Sequence, residues 1–234
     1  MQVFSHTLAL ALVKLRKSKP QVQCISNLVA LDFVYNVMLV LGTMPAIVHA
    51  SEEIADFSKI AQSLMINTGT LSGRGALAML EAASLAQAKQ VPWVLDPNGV
   101  GQADFRDKTI FELLTFGPSV IRAKAREVMM MAHHFGYESR INETARTSED
   151  NVEAARYLAN KTSAVIVMTG PTDIITDHEN TLRIANGHPL MSKVAGIGCA
   201  LSATIAAFCA IEENSMLAAV IAVGIYDIIG EIVG

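Results

Sequence analysis

The 234 residues carry a net charge of −4 and no basic cluster beyond a short run at 14–19, which argues against nucleic acid as the main partner. Hydrophobic residues make up 51% and charged residues 17%, with the excess in Ala, Val, Ile, Leu and Met, as in a buried parallel sheet under helices or a subunit with a large oligomeric interface. Three cysteines, Cys24, Cys199 and Cys209, are too few and too sparse for a disulfide framework, so a reducing, cytoplasmic location is expected.

Apolar runs alternate with helical patterns along the chain. The first helix runs from about Thr7 to Arg16, and the basic run Lys14 to Lys19 reads as its solvated end. A strand over Val22–Ser26 follows, then a helix over Val29–Leu41 stopped by Gly42. Next come a strand over Ala46–His49 and a helix to about Gln62, capped by Ser51 with Glu52 and Glu53 in its first turn. A buried strand spans Leu64–Asn67. Ser72 opens a helix to about Lys89, and a strand over Trp93–Leu95 ends at Asp96-Pro97.

The second half repeats the alternation. A helix over Phe105–Phe116 leads to a short strand, Val120–Arg122, and a helix to about His134. Ser148 caps a helix to Asn160. A strand over Ala164–Met168 ends in Thr169-Gly170, and a hairpin pairs Asp173–Thr176 with Thr181–Ala185. Helices run from about Cys199 to Ile211 and from Ser215 onward. No apolar run reaches the roughly 18 uninterrupted residues of a membrane span, and Tyr226, Asp227 and Glu231 mark the last stretch as a buried helix, so no membrane partner is expected. This order predicts one domain with a mainly parallel, doubly wound α/β sheet, whose ligands gather beyond the carboxyl ends of the strands.

Four segments sit at such ends. Gly196-Ile197-Gly198-Cys199 opens a helix, where two glycines and a helix N-terminus can form an anion hole for a transferring phosphoryl group; a plain structural turn has the same pattern. At that helix start Cys199 is either inert packing or a thiol whose pKa is lowered enough to act as a base. Asp96, followed by Gly99 and Gly101, can hold Mg²⁺ through water or merely cap a turn. Arg122 can pair with nucleotide phosphates and Glu127 can join Asp96 around a metal, unless the two form a surface ion pair within the helix. Thr169 offers a hydroxyl to a phosphate. His133 and His134 read as a helix end, since adjacent residues do not share a helix face.

Taken in order, these segments resemble the hydroxyethylthiazole kinases. Ile25-Ser26-Asn27, Leu41 to Pro45, Glu52 to Phe57, Asn67 to Leu71, Asp96-Pro97 with Gly99, Gly101 and Phe105-Arg106, Asn186-Gly187-His188, Lys193-Val194, the 196–199 turn and Ala207 to Asn214 each have a counterpart in that family. The resemblance runs nearly end to end. It implies a ribokinase-like three-layer sandwich. The implied reaction is ATP-dependent phosphorylation of the hydroxyl of 4-methyl-5-(2-hydroxyethyl)thiazole in thiamine salvage, with Mg²⁺ and a homotrimer. Carried over by position, it implies Arg122 and Thr169 at ATP, Asp96 and Glu127 at Mg²⁺, and Gly196, Gly198 and Cys199 at the anion hole. Asn27, Ile47 and Gly196 would lie near the thiazole.

The chain also departs from the family pattern. Lys124 replaces an amide expected near the metal and phosphates, where its charge can pair with Glu127 or bind phosphate. Ala195 replaces a hydroxyl residue, and Ile197 puts a β-branched side chain in the tight turn. Ile47 stands where Met is common, and the chain stops sooner than family members do. These departures suggest the same fold and trimer with reduced activity or a shifted substrate. The alternative is a nucleotide-binding oligomer without kinase turnover.

Overall fold

The computed structural model describes residues 2–138 and 147–234. In chain order its elements are α1 (Gln2–Ser18), β1 (Gln21–Ile25), α2 (Leu31–Leu41), β2 (Met44–Ile47), α3 (Ser51–Phe57), β3 (Ser63–Asn67), α4 (Gly73–Lys89), β4 (Trp93–Asp96) and α5 (Asp104–Leu114). Then come β5 (Val120–Lys124), α6 (Ala125–His134), α7 (Val152–Thr162), β6 (Val165–Thr169), the hairpin β7 (Asp173–Thr176) and β8 (Thr181–Ile184), α8 (Ile197–Cys209) and α9 (Ser215–Val233). The strands form one eight-stranded sheet in the order β2-β1-β3-β4-β5-β6-β7-β8. The first six pair in parallel, and β7 and β8 are antiparallel.

Helices cover both faces, giving the expected α/β three-layer arrangement. Successive strand residues point to opposite faces, and the core divides accordingly. Cys24, Met65, Val94, Val120, Val165 and Val167 pack with α1, α2, α8 and α9. Their neighbours Ile25, Ile66, Leu95, Ile121 and Ile166 pack with α3, α4, α5, α6 and α7 on the other side. Both faces are apolar, which is why these strands read as continuous hydrophobic runs.

The expected punctuation is present at Gly42, which caps α2 at φ 91°, and at Ser72, whose hydroxyl accepts from the Gly75 amide at 3.1 Å. Elsewhere tertiary pairing moved the boundaries. β2 begins at Met44 rather than Ala46, because pairing with β1 sets Gln21 against Met44 and Cys24 against Ile47. Ser51 is the first residue of α3 rather than its cap, and α3 ends at Phe57. Ser148 leads into a short 3-10 turn, so α7 starts only at Val152.

By length and composition α9 could cross a membrane. In the fold, Ala218, Ala219, Ala222 and Val223 on it are fully buried in the core shared with α1, α2 and α8.

Candidate active site

The polar residues at the mouth of the sheet follow from strand periodicity. Counting by two from the α8-facing core residues, Met65 leads to Asn67, Val94 to Asp96, Val120 to Arg122 and Lys124, and Val167 to Thr169. Asn67 is the register partner of Asp96, and Lys124 that of Thr169. The last residues of β3, β4, β5 and β6 on this face therefore all project to the side covered by α8. A one-residue slip in any strand would turn its polar end to the opposite face.

Arg122 connects them. Its Nη2 donates to Thr169 Oγ1 at 2.8 Å and its Nη1 lies 3.5 Å from Asp96 Oδ2. Both charged side chains are buried, at 8% and 1% exposure. Ser202, one turn into α8, supplies a hydroxyl 2.8 Å from Asp96 Oδ2 and 3.1 Å from the Gly198 carbonyl. These contacts leave Asp96 Oδ1 and Arg122 Nε buried without a partner. Buried polar atoms in that state favour a ligand or cation, since an unmet buried group costs about 1–3 kcal/mol.

The turn before α8 is built as the glycines suggested. Gly196 has φ 84°, a left-handed conformation that a side chain would strain, and a β-carbon there would fall 2.8 Å from that of Ala30. Ile197 is already helical, so the tight turn is carried by Gly196 and not by the β-branched residue. Gly198 lies directly under the Arg122 guanidinium. The N-terminus of α8 thus meets, at Gly198, the guanidinium that also touches Asp96 and Thr169.

For Cys199 the sequence left two readings open, inert packing or a base of lowered pKa. Burial, with the neighbouring Asp96 charge second, pushes its thiol up to about 11, against the smaller opposing pull of Arg122 and Lys124. A helix N-terminus alone would have lowered it; desolvation wins. Cys199 is therefore a protonated thiol at neutral pH. Cys24 and Cys209 are core cysteines pushed up to about 12 by burial.

Glu127 reaches the cleft from α6. Its Oε1 accepts from the Gly99 amide at 3.2 Å and its Oε2 from the Lys124 amide at 2.8 Å. It thereby ties the β4 loop to the end of β5. Lys124 meets Glu127 through its backbone, and its exposed side chain forms no ion pair among the described residues. No group of three or more His, Cys, Asp or Glu among the described residues could hold a metal. Asp96 with its unpartnered Oδ1 fits a Mg²⁺ ion that takes its remaining ligands from phosphates and water, the usual mode for this ion.

At the other end of the cleft, Asn27 follows β1 and accepts from the Val29 amide at 2.9 Å. Its amide lies against Gly69, and Gly69 also donates its N–H to Asn67 Oδ1 at 2.9 Å. Ile47, half-buried at the end of β2, packs against the α2 and α8 side of the core. β1 and β3 are neighbours whose connections leave in opposite directions, the switch point at which open α/β sheets bind ligands.

Sequence reasoning missed three contributors. Ser202 and Asn67 sit in apolar stretches, and their isolated polarity was the available signal. Arg106 donates to the carbonyls of Thr68 and Asn98 and so joins the β3 and β4 loops; nothing in its local sequence announces that.

A doubly wound sheet with polar strand ends gathered around a glycine-turned helix N-terminus defines the ribokinase-like class of small-molecule kinases. Within that class the chain belongs to the hydroxyethylthiazole kinase family, whose model matches residues 12–233. The hydroxyethylthiazole kinase of Leptospira interrogans is 40% identical over 219 residues, covering 94% of this chain and 82% of the relative. That of Zea mays is 38% identical over 221 residues, covering 93% and 78%. A solved hydroxyethylthiazole kinase protein from Pyrococcus horikoshii superposes with a TM-score of 0.83 at 28% identity, covering 92% of this chain and 82% of that one. Pyridoxal kinase of Bacillus subtilis, solved as an ADP complex, shares the fold at a TM-score of 0.63 and 16% identity, with 88% and 89% covered.

Proposed function

We propose that this chain transfers the γ-phosphoryl group of ATP to the hydroxyl of 4-methyl-5-(2-hydroxyethyl)thiazole, the salvage step for the thiazole half of thiamine. The observation that carries the reading is the meeting of Asp96, Arg122 and Thr169 with the α8 N-terminus at the carboxyl ends of β4, β5 and β6. Relatives of about 40% identity that bear this activity in their names support it.

In this reading Arg122 and Thr169 part to receive the ATP phosphates, which replace the bond between them. Asp96 and Glu127 organise Mg²⁺, which when bound neutralises charge on the phosphate oxygens. The amides behind Gly196, Gly198 and Cys199 stabilise the transferring group where its charge builds up. Asn27, Ile47 and Gly196 border the thiazole. Cys199 stands beside the attacking hydroxyl. Phosphoryl transfer passes through a loose transition state in which positioning and charge stabilisation dominate, so a protonated thiol does not preclude the role.

The same reading takes the chain as one kinase domain that works as a cytoplasmic homotrimer. Three free, buried cysteines suit a reducing compartment. Exposed Leu28 and Val29 beside Asn27, with exposed Leu39 and Val40 at the far end of α2 and Met44 at the start of β2, suit a subunit interface.

An ADP-release assay with Mg-ATP, run with and without the thiazole alcohol, tests the function. Thiazole-dependent ADP release is expected. Release that ignores the thiazole but responds to another small alcohol would reject the substrate, and no release with any alcohol would reject the kinase. Sedimentation equilibrium at three times the protomer mass is the expected result for the assembly.

A further inference from the structure

Asn67 is a strand-end residue on the α8 face that has no part in the scheme above. It is fully buried at the end of β3. Both ends of its amide are used. Oδ1 accepts from the Gly69 N–H at 2.9 Å, and Nδ2 donates to Cys199 Sγ at 3.5 Å. The first bond fixes which way the amide faces, because the oxygen is committed to the loop and the nitrogen must then point at the sulfur. Two further contacts stiffen that loop. Asn27 presses on Gly69, and Arg106 holds the carbonyls of Thr68 and Asn98.

A sulfur that accepts an N–H from one side presents its own S–H, or its remaining lone pairs, to another. Cys199 is the third residue of α8 and faces the cleft with Asp96 and Arg122 as its charged neighbours. We propose that Asn67 is a positioning residue for the phosphoryl transfer: through its amide N–H it holds the Cys199 sulfur in place, so that the free side of that sulfur meets the substrate hydroxyl. This inference rests on the placing of Cys199 beside that hydroxyl.

The test is a double-mutant cycle. Asn67→Ser keeps a short side-chain oxygen for the Gly69 amide and loses the reach to sulfur. Asn67→Asp keeps the shape and turns the donor into an acceptor. Each is measured alone and with Cys199→Ala, for kcat, for KM of the thiazole alcohol and of ATP, and for thermal stability. Misplacing a reacting group by about 1 Å can cost on the order of a hundredfold. Both single variants should therefore lose about tenfold or more in kcat, with KM for ATP unchanged. In the Cys199→Ala background neither should cause any further loss. If one variant fails to fold, the other carries the test.

An undiminished loss in the Cys199→Ala background would overturn the proposal, since Asn67 would then act through the loop. Full kcat in both Asn67 variants would overturn it as well. A Cys199→Ala protein that turns over at the wild-type rate would remove Cys199 from the chemistry and sink the underlying reading too. Alkylation of the wild-type and Asn67→Asp proteins by iodoacetamide, located by peptide mass, needs no turnover. Cys199 should react severalfold more slowly in Asn67→Asp while Cys24 and Cys209 stay unchanged, and equal Cys199 rates would overturn the proposal even in a protein without thiazole kinase activity.

Discussion

The guanidinium of Arg122 lies across Gly198, so that a β-carbon on Gly198 would stand 2.5 Å from Nη1 and 2.7 Å from Nη2. Gly198 is helical and needs no left-handed backbone. Its lack of a side chain serves the arginine rather than the turn.

Gly198→Ala should accordingly leave the fold intact and displace Arg122 from Asp96 and Thr169. Loss of one such electrostatic contact to a transition state costs about a hundredfold or more. The expected result is a drop of that order in kcat/KM, with an unfolding transition close to wild type. Steady-state kinetics and thermal melts measure the two sides. Unchanged kinetics would mean that the arginine does not need its place over the turn.

Gly69 illustrates a second close approach. A β-carbon there would overlap Asn27 Nδ2 and stand 2.9 Å from Asn67 Oδ1. Gly69→Ala must push the two amides apart. Overpacking a filled site costs about 1–3 kcal/mol. Loss of stability in that range is expected, together with a higher KM for the thiazole alcohol and an unaltered KM for ATP. A rise in KM for ATP instead would place Asn27 on the wrong substrate.

Asp227 gives a pH dependence. It is buried on α9 with Oδ2 unpartnered. Burial first, and then Asp173 and Glu231, push its carboxyl up to about 8. Asp173, at the start of β7, is itself pushed up to about 6 by burial. Gly187 approaches Asp227 from the loop after β8, and the nearby Asn186 amide is committed to Glu231. The folded chain thus binds a proton at Asp227 that the unfolded chain, near the ordinary value of 3.8, has released. Wherever the native state binds more protons, stability falls as pH rises. The decline belongs between about pH 4 and about pH 8. Asp227→Asn should stabilise the protein at about pH 9, by an amount on the order of 1–3 kcal/mol, and make little difference at about pH 4. Denaturant melts at the two pH values check it, and an equal effect at both would show that the carboxyl is ionised throughout.

Much of the fold was legible in the sequence because the governing rules are local. Gly42 and Ser72 act within a turn of their own residues, and strand and helix periods repeat over a few positions. The β2 boundary was not, since pairing with β1 decided it, nor was the 3-10 entry to α7, where the Ser148 hydroxyl bonds to the Thr172 carbonyl 24 residues away. At the site, Asp96, Arg122, Thr169 and the 196–199 turn announced themselves by standing at the ends of apolar runs. Ser202 and Arg106 did not, and Asn67, though it ends such a run, drew no role, because their partners lie 106, 38 and 132 residues away in the chain.

By itself, then, the sequence determined the order of strands and helices, the residues at the strand ends and the family to which they belong. Those follow from side-chain periodicity and backbone preference, which are properties of neighbours. Only the tertiary structure decided which strand ends share a face with α8, that Arg122 bridges Asp96 and Thr169, and that the Cys199 thiol is raised rather than lowered. Those depend on sheet register and on how deeply each group is withdrawn from water, and both are set by contacts between residues far apart in the chain.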